Sequence, residues 1–312
     1  MAMALRVAIT GATGLIGGGL VDALRAQGAE VTVLSRDPAR ARKRFAADGG
    51  LPVQAFAWDL MRELAPVDAL SGRDAVVHLA GENVAQRWTE QAKRTIRDSR
   101  VIGTRNLLAG LLEAQPRPRT LITGSAIGYY GARGEEPLDE EAPAGSDFLA
   151  GVCVDWEAEA QQAADLQMRV VTVRTGVVLD SQGGALAKML PPFRLGVGGP
   201  VAGGRQYVSW IHRDDEVGMI VAALEDERWN GPINATAPEP VTNRELSHAL
   251  GRALHRPALL PVPGAALGLL YGEMAQVVTT GARVVPAKGL VLGYEFRHPR
   301  LDEALESTLK DA

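Results

Sequence analysis

Residues 9–37, ITGATGLIGGGLVDALRAQGAEVTVLSRD, limit the possible folds more than any other stretch of the chain. An apolar run ends at Gly11, glycines recur at Gly14 and Gly17, and Leu15, Ile16, Leu20 and Leu24 follow at helical spacing. Gly28 stands where that helix would be capped, and a second apolar run leads to Ser35, Arg36 and Asp37. Each glycine has its own task in such a strand–turn–helix unit. Gly11 permits the tight turn, Gly14 lets a pyrophosphate approach the backbone, and Gly17 lets the helix lie against the sheet. Around Thr13, Gly14, Leu15 and Ile16 the helix N-terminus would offer free amides and a positive dipole end to phosphate oxygens. A glycine-rich turn without a ligand is the plain alternative. Strand, helix and second strand all fall in the order that a dinucleotide site requires.

Sites for NAD place an acidic residue at the end of the second strand to bond the ribose hydroxyls. Ser35 and Arg36 come first here, and Asp37 lies one step further on. A guanidinium beside a hydroxyl suits a 2′-phosphate, so the sequence favours NADP(H) over NAD(H). The competing reading makes Arg36 the solvated start of the basic helix that carries Arg40, Arg42, Lys43 and Arg44.

Beyond this unit, apolar runs at 6–10, 31–34, 53–57, 75–79, 119–123 and 170–174 alternate with helical patterns at 15–27, 38–47, 90–113 and 151–166. That order predicts an α/β fold, a doubly wound parallel sheet of the Rossmann type covered on both faces. Residues 181–206 are rich in glycine and proline, 213–226 reads as a helix, and 232–238 reads as a further short strand. The expected division is a nucleotide-binding domain over 1–240 and a smaller C-terminal substrate lobe over 241–312, to which 181–206 contributes. Basic and acidic residues number 33 and 37, so no cationic surface points to nucleic acid or a membrane. The single cysteine, Cys153, excludes an internal disulfide framework, and the five histidines show no metal-ligand spacing. The apolar stretch 258–272 is too short and too interrupted by Pro261, Pro263 and Gly264 to span a bilayer. An apolar, strand-like run begins by residue 5 and leaves no room for a signal peptide, so the expected location is cytoplasmic.

The Gly-x-x-Gly-x-x-Gly spacing resembles that of the extended short-chain dehydrogenase/reductases. So do WDL (58–60), VVHLAGENV (76–84), SRVIGTRNLL (99–108) and RTGVVL (174–179), in that order. More narrowly, MLPPFRLGVGGPVAGGRQYVSWIHRDD (189–215) and HALGRALHRPALLPVP (248–263) resemble the YfcH-type epimerase-family proteins and their small C-terminal domain. The resemblance covers essentially the whole chain. It implies a nucleotide cofactor with Asp59 and Leu60 beside the adenine and with Leu79, Ala80 and Gly81 lining the crevice. It also admits a homodimer formed through helices of the nucleotide domain.

In that superfamily a serine after the fifth strand works with a Tyr-x-x-x-Lys helix. The tyrosine exchanges a proton with substrate, and the lysine lowers its pKa and bonds the ribose. Ser125, in TGSAIGYYG (123–131), matches the serine. Counting back from Glu157 puts Leu149 and Cys153 where the tyrosine and lysine belong, and a shift of one residue gives Phe148 and Val152. No lysine occurs between Lys93 and Lys188, so the pair is missing.

Three readings follow: another group supplies the proton, Tyr130 ahead of Tyr129; the chemistry needs little acid help and Ser125 only orients a carbonyl; or the chain binds NADP(H) without turnover. Tyr130 could equally be a packing or positioning aromatic. Cys153 is either a buried structural thiol or a thiol near the nicotinamide. Among Lys93, Arg94, Arg97 and Arg100, whose default is a solvated helix face, one could replace the missing charge.

On the substrate side the resemblance implies a small-molecule substrate met by Arg205 and Gln206, against the alternative of an exposed hairpin arginine. Asp214 or Asp215 is expected to cap the following helix, and His78 to be a satisfied core histidine.

Overall fold

Strands apolar on both faces can be buried only between two layers of helices, and the chain builds that sandwich. A computed structural model describes residues 4–46 and 51–310. In order, the first half runs β1 (Arg6–Thr10), α1 (Leu15–Ala26), β2 (Glu30–Ser35), α2 (Pro38–Ala46), β3 (Gln54–Ala57), α3 (Val67–Leu70), β4 (Ala75–His78), α4 (Glu90–Glu113) and β5 (Thr120–Ala126). Then come β6 (Pro137–Leu138), α5 (Phe148–Gln161), β7 (Arg169–Thr175), β8 (Val177–Leu179), α6 (Gly184–Arg194), β9 (Tyr207–Val208) and β10 (Trp210–His212). The rest includes α7 (Arg213–Glu225), β11 (Gly231–Ala235), β12 (Val241–Thr242), α8 (Asn243–Ala253), β13 (Arg283–Val284) and a last helix, Leu301–Lys310.

Seven strands form one parallel sheet in the order β11-β7-β5-β4-β1-β2-β3. The winding reverses at β1, so a crevice opens beyond the carboxyl ends of β1 and β4. Val7, Ile9 and Val33 turn to one face, against Leu20 and Leu24 of α1 and Val217 and Ile220 of α7. Their neighbours Ala8 and Leu34 turn to the other, with Leu107 and Leu111 of α4 and Ala160 of α5. The period-two alternation of strand side chains divides the core in this way.

The expected strands stand within a few residues of their places, and α4 matches the expected range. The expected end of α2, residue 47, lies outside the described residues. Three differences matter. β5 runs on to Ala126, past the expected end at 123, and its register sets Ser125 beside Arg174 of β7. α5 starts three residues early because the Asp147 side chain accepts the Ala150 amide at 2.9 Å. Within 181–206 lies α6, although Pro191 and Pro192 sit inside it. Leu186, Leu190 and Phe193 share one face and are buried, which outweighs the two missing amide donors.

A separate apolar cluster joins Leu186, Leu190 and Phe193 to Trp210, Leu250 and Leu305. β13 then pairs with β6 in a separate two-stranded sheet, and Tyr294 and Phe296 pack on the α1–α7 face of the large sheet. No helix among the described residues is long and apolar enough to cross a membrane.

Candidate active site at the β1–β4 crevice

Gly11 has φ +71°, and a Cβ there would stand 2.8 Å from the Leu79 carbonyl carbon, so the turn presses against the chain leaving β4. At Gly17 a Cβ would overlap the Gly11 carbonyl. The third glycine therefore admits the turn's own backbone, and through it lets the helix seat. Gly14 is exposed, and a Cβ there would meet only the Gly11 oxygen, at 3.1 Å. No side chain caps α1, so its first amides, from Leu15 onward, point into the crevice region without a partner from the chain. At the far end Gly28 (φ +82°) closes the helix, with the Ala29 amide bonded to the Leu24 carbonyl and the Gly28 amide to that of Arg25. Arg44 contributes something its sequence neighbours did not announce. Its Nη1 donates to the Thr13 carbonyl at 2.6 Å, clamping the glycine turn from α2.

At the end of β2, Arg36 is exposed and Ser35 half-buried. Asp37 Oδ1 accepts the Arg40 amide at 2.9 Å and so caps α2. Asp59 likewise accepts the Met61 amide at 3.0 Å, and Leu60 packs against the α4 backbone at Gly103, where a Cβ would crowd it. Leu79 and Ala80 are half-buried and Gly81 exposed along the crevice wall.

Where β5 and β7 lie side by side, their side chains build a buried polar network. Ser125 Oγ donates to Glu157 Oε1 at 2.6 Å. Arg174 grips the same carboxylate with both prongs, Nε to Oε1 at 2.9 Å and Nη2 to Oε2 at 2.8 Å. Burial opposes the Arg174 charge, but the Glu157 contacts outweigh it and carry the guanidinium above its ordinary range. Its Cζ lies 3.5 Å from the centre of the Tyr129 ring, and Nη1 donates to the Tyr130 hydroxyl at 2.9 Å. That hydroxyl in turn donates to Asn234 Oδ1 at 2.7 Å. Tyr130 is wholly buried, and burial pushes its pKa up to about 12. With both hydrogen-bonding functions engaged inside the wall, it has the geometry of the packing alternative rather than of a proton donor to substrate.

Leu149 and Cys153 stand on α5 against the loop after β5, both within reach of Gly128. Cys153 is buried with its thiol 3.7 Å from the Ala126 carbonyl, and burial pushes its pKa up to about 11, which fits the structural reading. Of the cations on α4, Arg97 pairs with Asp155 at 2.8 Å and Lys93 pairs with Glu273. Arg100 is half-buried, its Nη1 donating to the Glu82 and Ile96 carbonyls at 3.0 and 2.9 Å.

The substrate-side residues separate. Gln206 donates its amide to the Val201 and Val278 carbonyls at 3.1 and 2.9 Å and so braces two loops, while Arg205 is exposed. The helix cap differs from expectation. His212 caps α7, its Nδ1 accepting the Asp214 amide at 3.1 Å. Asp215 is wholly buried and instead accepts the Arg297 and His298 amides, at 2.7 and 2.9 Å, tying the C-terminal return to α7. His78 is satisfied on one nitrogen only. Nδ1 meets Thr10 Oγ1 at 2.7 Å, Nε2 has no partner, and burial lowers its pKa to about 4. Donor atoms of His212, Asp214 and His298 come within 4.8 Å of one another, a grouping the sequence spacing hides. The two rings stack with centroids 3.8 Å apart, and the cap already uses the His212 Nδ1 lone pair.

Comparison with known proteins gives a consistent picture. The profile of the NAD dependent epimerase/dehydratase family matches residues 7–235, and that of a domain of unknown function, DUF1731, matches 262–308. The Arabidopsis thaliana epimerase family protein SDR39U1 homolog, described as chloroplastic, is 40% identical over 98% of this chain and 87% of its own length. The crystal structure of human epimerase family protein SDR39U1 with NADPH superposes with a TM-score of 0.88 at 34% identity, covering 99% of this chain and all of that one (100%). A short-chain dehydrogenase/reductase superfamily protein from Agrobacterium tumefaciens with bound NAD shares the fold, with a TM-score of 0.76 at 19% identity over 98% of this chain and 96% of that one.

Proposed function

The chain belongs to the NAD dependent epimerase/dehydratase family, and on that footing we propose that it is an NADP(H)-dependent oxidoreductase or epimerase-like enzyme for a small carbonyl or hydroxyl compound. The observation that carries this reading is the glycine cradle. Its closeness to Leu79 and its uncapped amides fit a pyrophosphate and would not tolerate a side chain at Gly11 or Gly17. Preference for the 2′-phosphate is supported by Asp37, which is engaged in capping α2 and leaves Ser35 and Arg36 to face the adenosine end. The human relative with NADPH bound supports the same choice.

Thr13, Gly14, Leu15 and Ile16 would hold the diphosphate, with Asp59, Leu60, Leu79, Ala80 and Gly81 along the nucleosides. The bound cofactor supplies or accepts a hydride at its nicotinamide ring. Ser125 gives its own proton to Glu157 and so presents oxygen lone pairs. It would accept the hydroxyl proton of an alcohol while its own passes to Glu157, which Arg174 holds in position. In the reverse direction the same relay returns a proton to a carbonyl oxygen. Arg205 remains the candidate for an anionic part of the substrate.

One observation favours a second reading, an NADP(H)-binding sensor or assembly protein without turnover. Leu149 and Cys153 fill the places of the usual proton-transfer pair, and Tyr130 is sealed in the wall. A carbonyl screen following NADPH absorbance separates the two. An enzyme oxidises NADPH with some member of the panel and loses roughly 100-fold or more on Ser125→Ala. Tight NADPH binding with no turnover on any carbonyl supports the sensor.

A further inference from the structure

Arg100 is half-buried on α4, and no carboxylate among the described residues pairs with it. Arg97 pairs with Asp155, Arg105 with Glu159 and Lys93 with Glu273. Nη1 donates to the backbone carbonyls of Glu82 and Ile96, at 3.0 and 2.9 Å. Nε and Nη2 have no acceptor among the described residues, and neither is sealed from solvent. The guanidinium lies over the Trp156 ring, 5.1 Å from its centre, and against Gly81, where a Cβ would come within 3.3 Å of Cζ. Burial lowers its pKa, and the nearby Cys153 and Glu82 offset that only in part. A guanidinium placed this way, with two prongs unused, is built to meet oxygens that the chain itself does not supply.

The fold says which oxygens. Ser35 and Arg36 close the β2 side of the crevice, and the glycine turn sits at its centre beside Leu79. A dinucleotide crossing the switch point with its adenosine half toward β2 lays its other half toward β4 and β5. Gly81 and Ser125 lie on that side, and Arg100 stands against Gly81. We infer that Arg100 binds the nicotinamide-side ribose-phosphate of NADP(H), its free Nε–H and Nη2–H donating to that half's oxygens. This rests on the cofactor reading above. It assigns to α4 the charge that α5 lacks.

The test compares two ligands by calorimetry: NADPH, and 2′,5′-ADP, which has the adenosine half with its extra phosphate and no nicotinamide nucleoside. Arg100→Gln should weaken NADPH about tenfold and leave 2′,5′-ADP unchanged. Arg100→Lys keeps the charge without the planar fork and should weaken NADPH about threefold, again sparing 2′,5′-ADP. It carries the test alone should Arg100→Gln fail to fold. Arg97→Gln, on the outer side of α4, should alter neither. Unchanged NADPH affinity in the Arg100 variants, or an equal loss for both ligands, overturns the inference. Wild-type protein that binds neither ligand would instead overturn the cofactor reading.

Discussion

Removing the Arg174 guanidinium exposes how the network behind Ser125 is held. The Arg174 side chain is 4% exposed and that of Glu157 14%, so neither charge is well hydrated. In Arg174→Met the carboxylate loses both prongs, the Tyr130 hydroxyl loses a donor, and the stacking on Tyr129 disappears. Breaking one side of a buried pair in this way costs about 3–5 kcal/mol, mostly the penalty of the stranded charge. Average unfolding entropies scaled to 312 residues make that a fall of roughly 5–8 °C in Tm. Glu157→Gln removes the stranded charge. The double variant Arg174→Met/Glu157→Gln should therefore be more stable than Arg174→Met alone, with a coupling of about 2 kcal/mol or more between the two sites. Urea unfolding of the four proteins of the cycle measures it. A loss under about 1 kcal/mol in Arg174→Met, or simple additivity, would refute the view that Glu157 and Arg174 form one buried unit behind Ser125.

Tyr130→Phe tests the packing role: loss of the bonds to Asn234 and Arg174 should cost about 1–3 kcal/mol in stability while any turnover stays within about tenfold of wild type. Arg36→Gln should reduce the NADPH-over-NADH preference about tenfold or more in calorimetry while changing NADH affinity little. His78 predicts an acid-side slope. Its folded pKa of about 4 lies below the unfolded value of 6.5, so the unfolded chain takes up the proton first. The stability is complete above pH 6.5 and falls by about 3 kcal/mol as pH drops toward 4. Urea unfolding of His78→Asn should show a correspondingly shallower loss over that window, and an unchanged slope would contradict it.

The sheet was legible because its strands are apolar on both faces and its glycine turn has few structural uses. Ser125 was found from its place after the fifth strand. Its partnership with Glu157 and Arg174 depends on β5 and β7 lying side by side, which no local pattern encodes. Glu157 entered the sequence reading only as a landmark for counting, and Arg174 only as part of the RTGVVL run. Tyr130 drew attention by standing between glycines, but its direction is set by Asn234, 104 residues away. The cap at α7 went to His212 because Asp215 is taken by the returning C-terminal segment, a contact 82 residues distant in the chain. α6 was hidden by two prolines whose cost is met by burial of one apolar face.

The most direct measurement is calorimetric titration of the purified protein with NADPH and with NADH under one buffer and salt condition. The cradle together with Ser35 and Arg36 predicts saturable, one-site binding of NADPH, at least about tenfold tighter than NADH. Absence of heat from both coenzymes at millimolar concentration, or tighter binding of NADH, would contradict it.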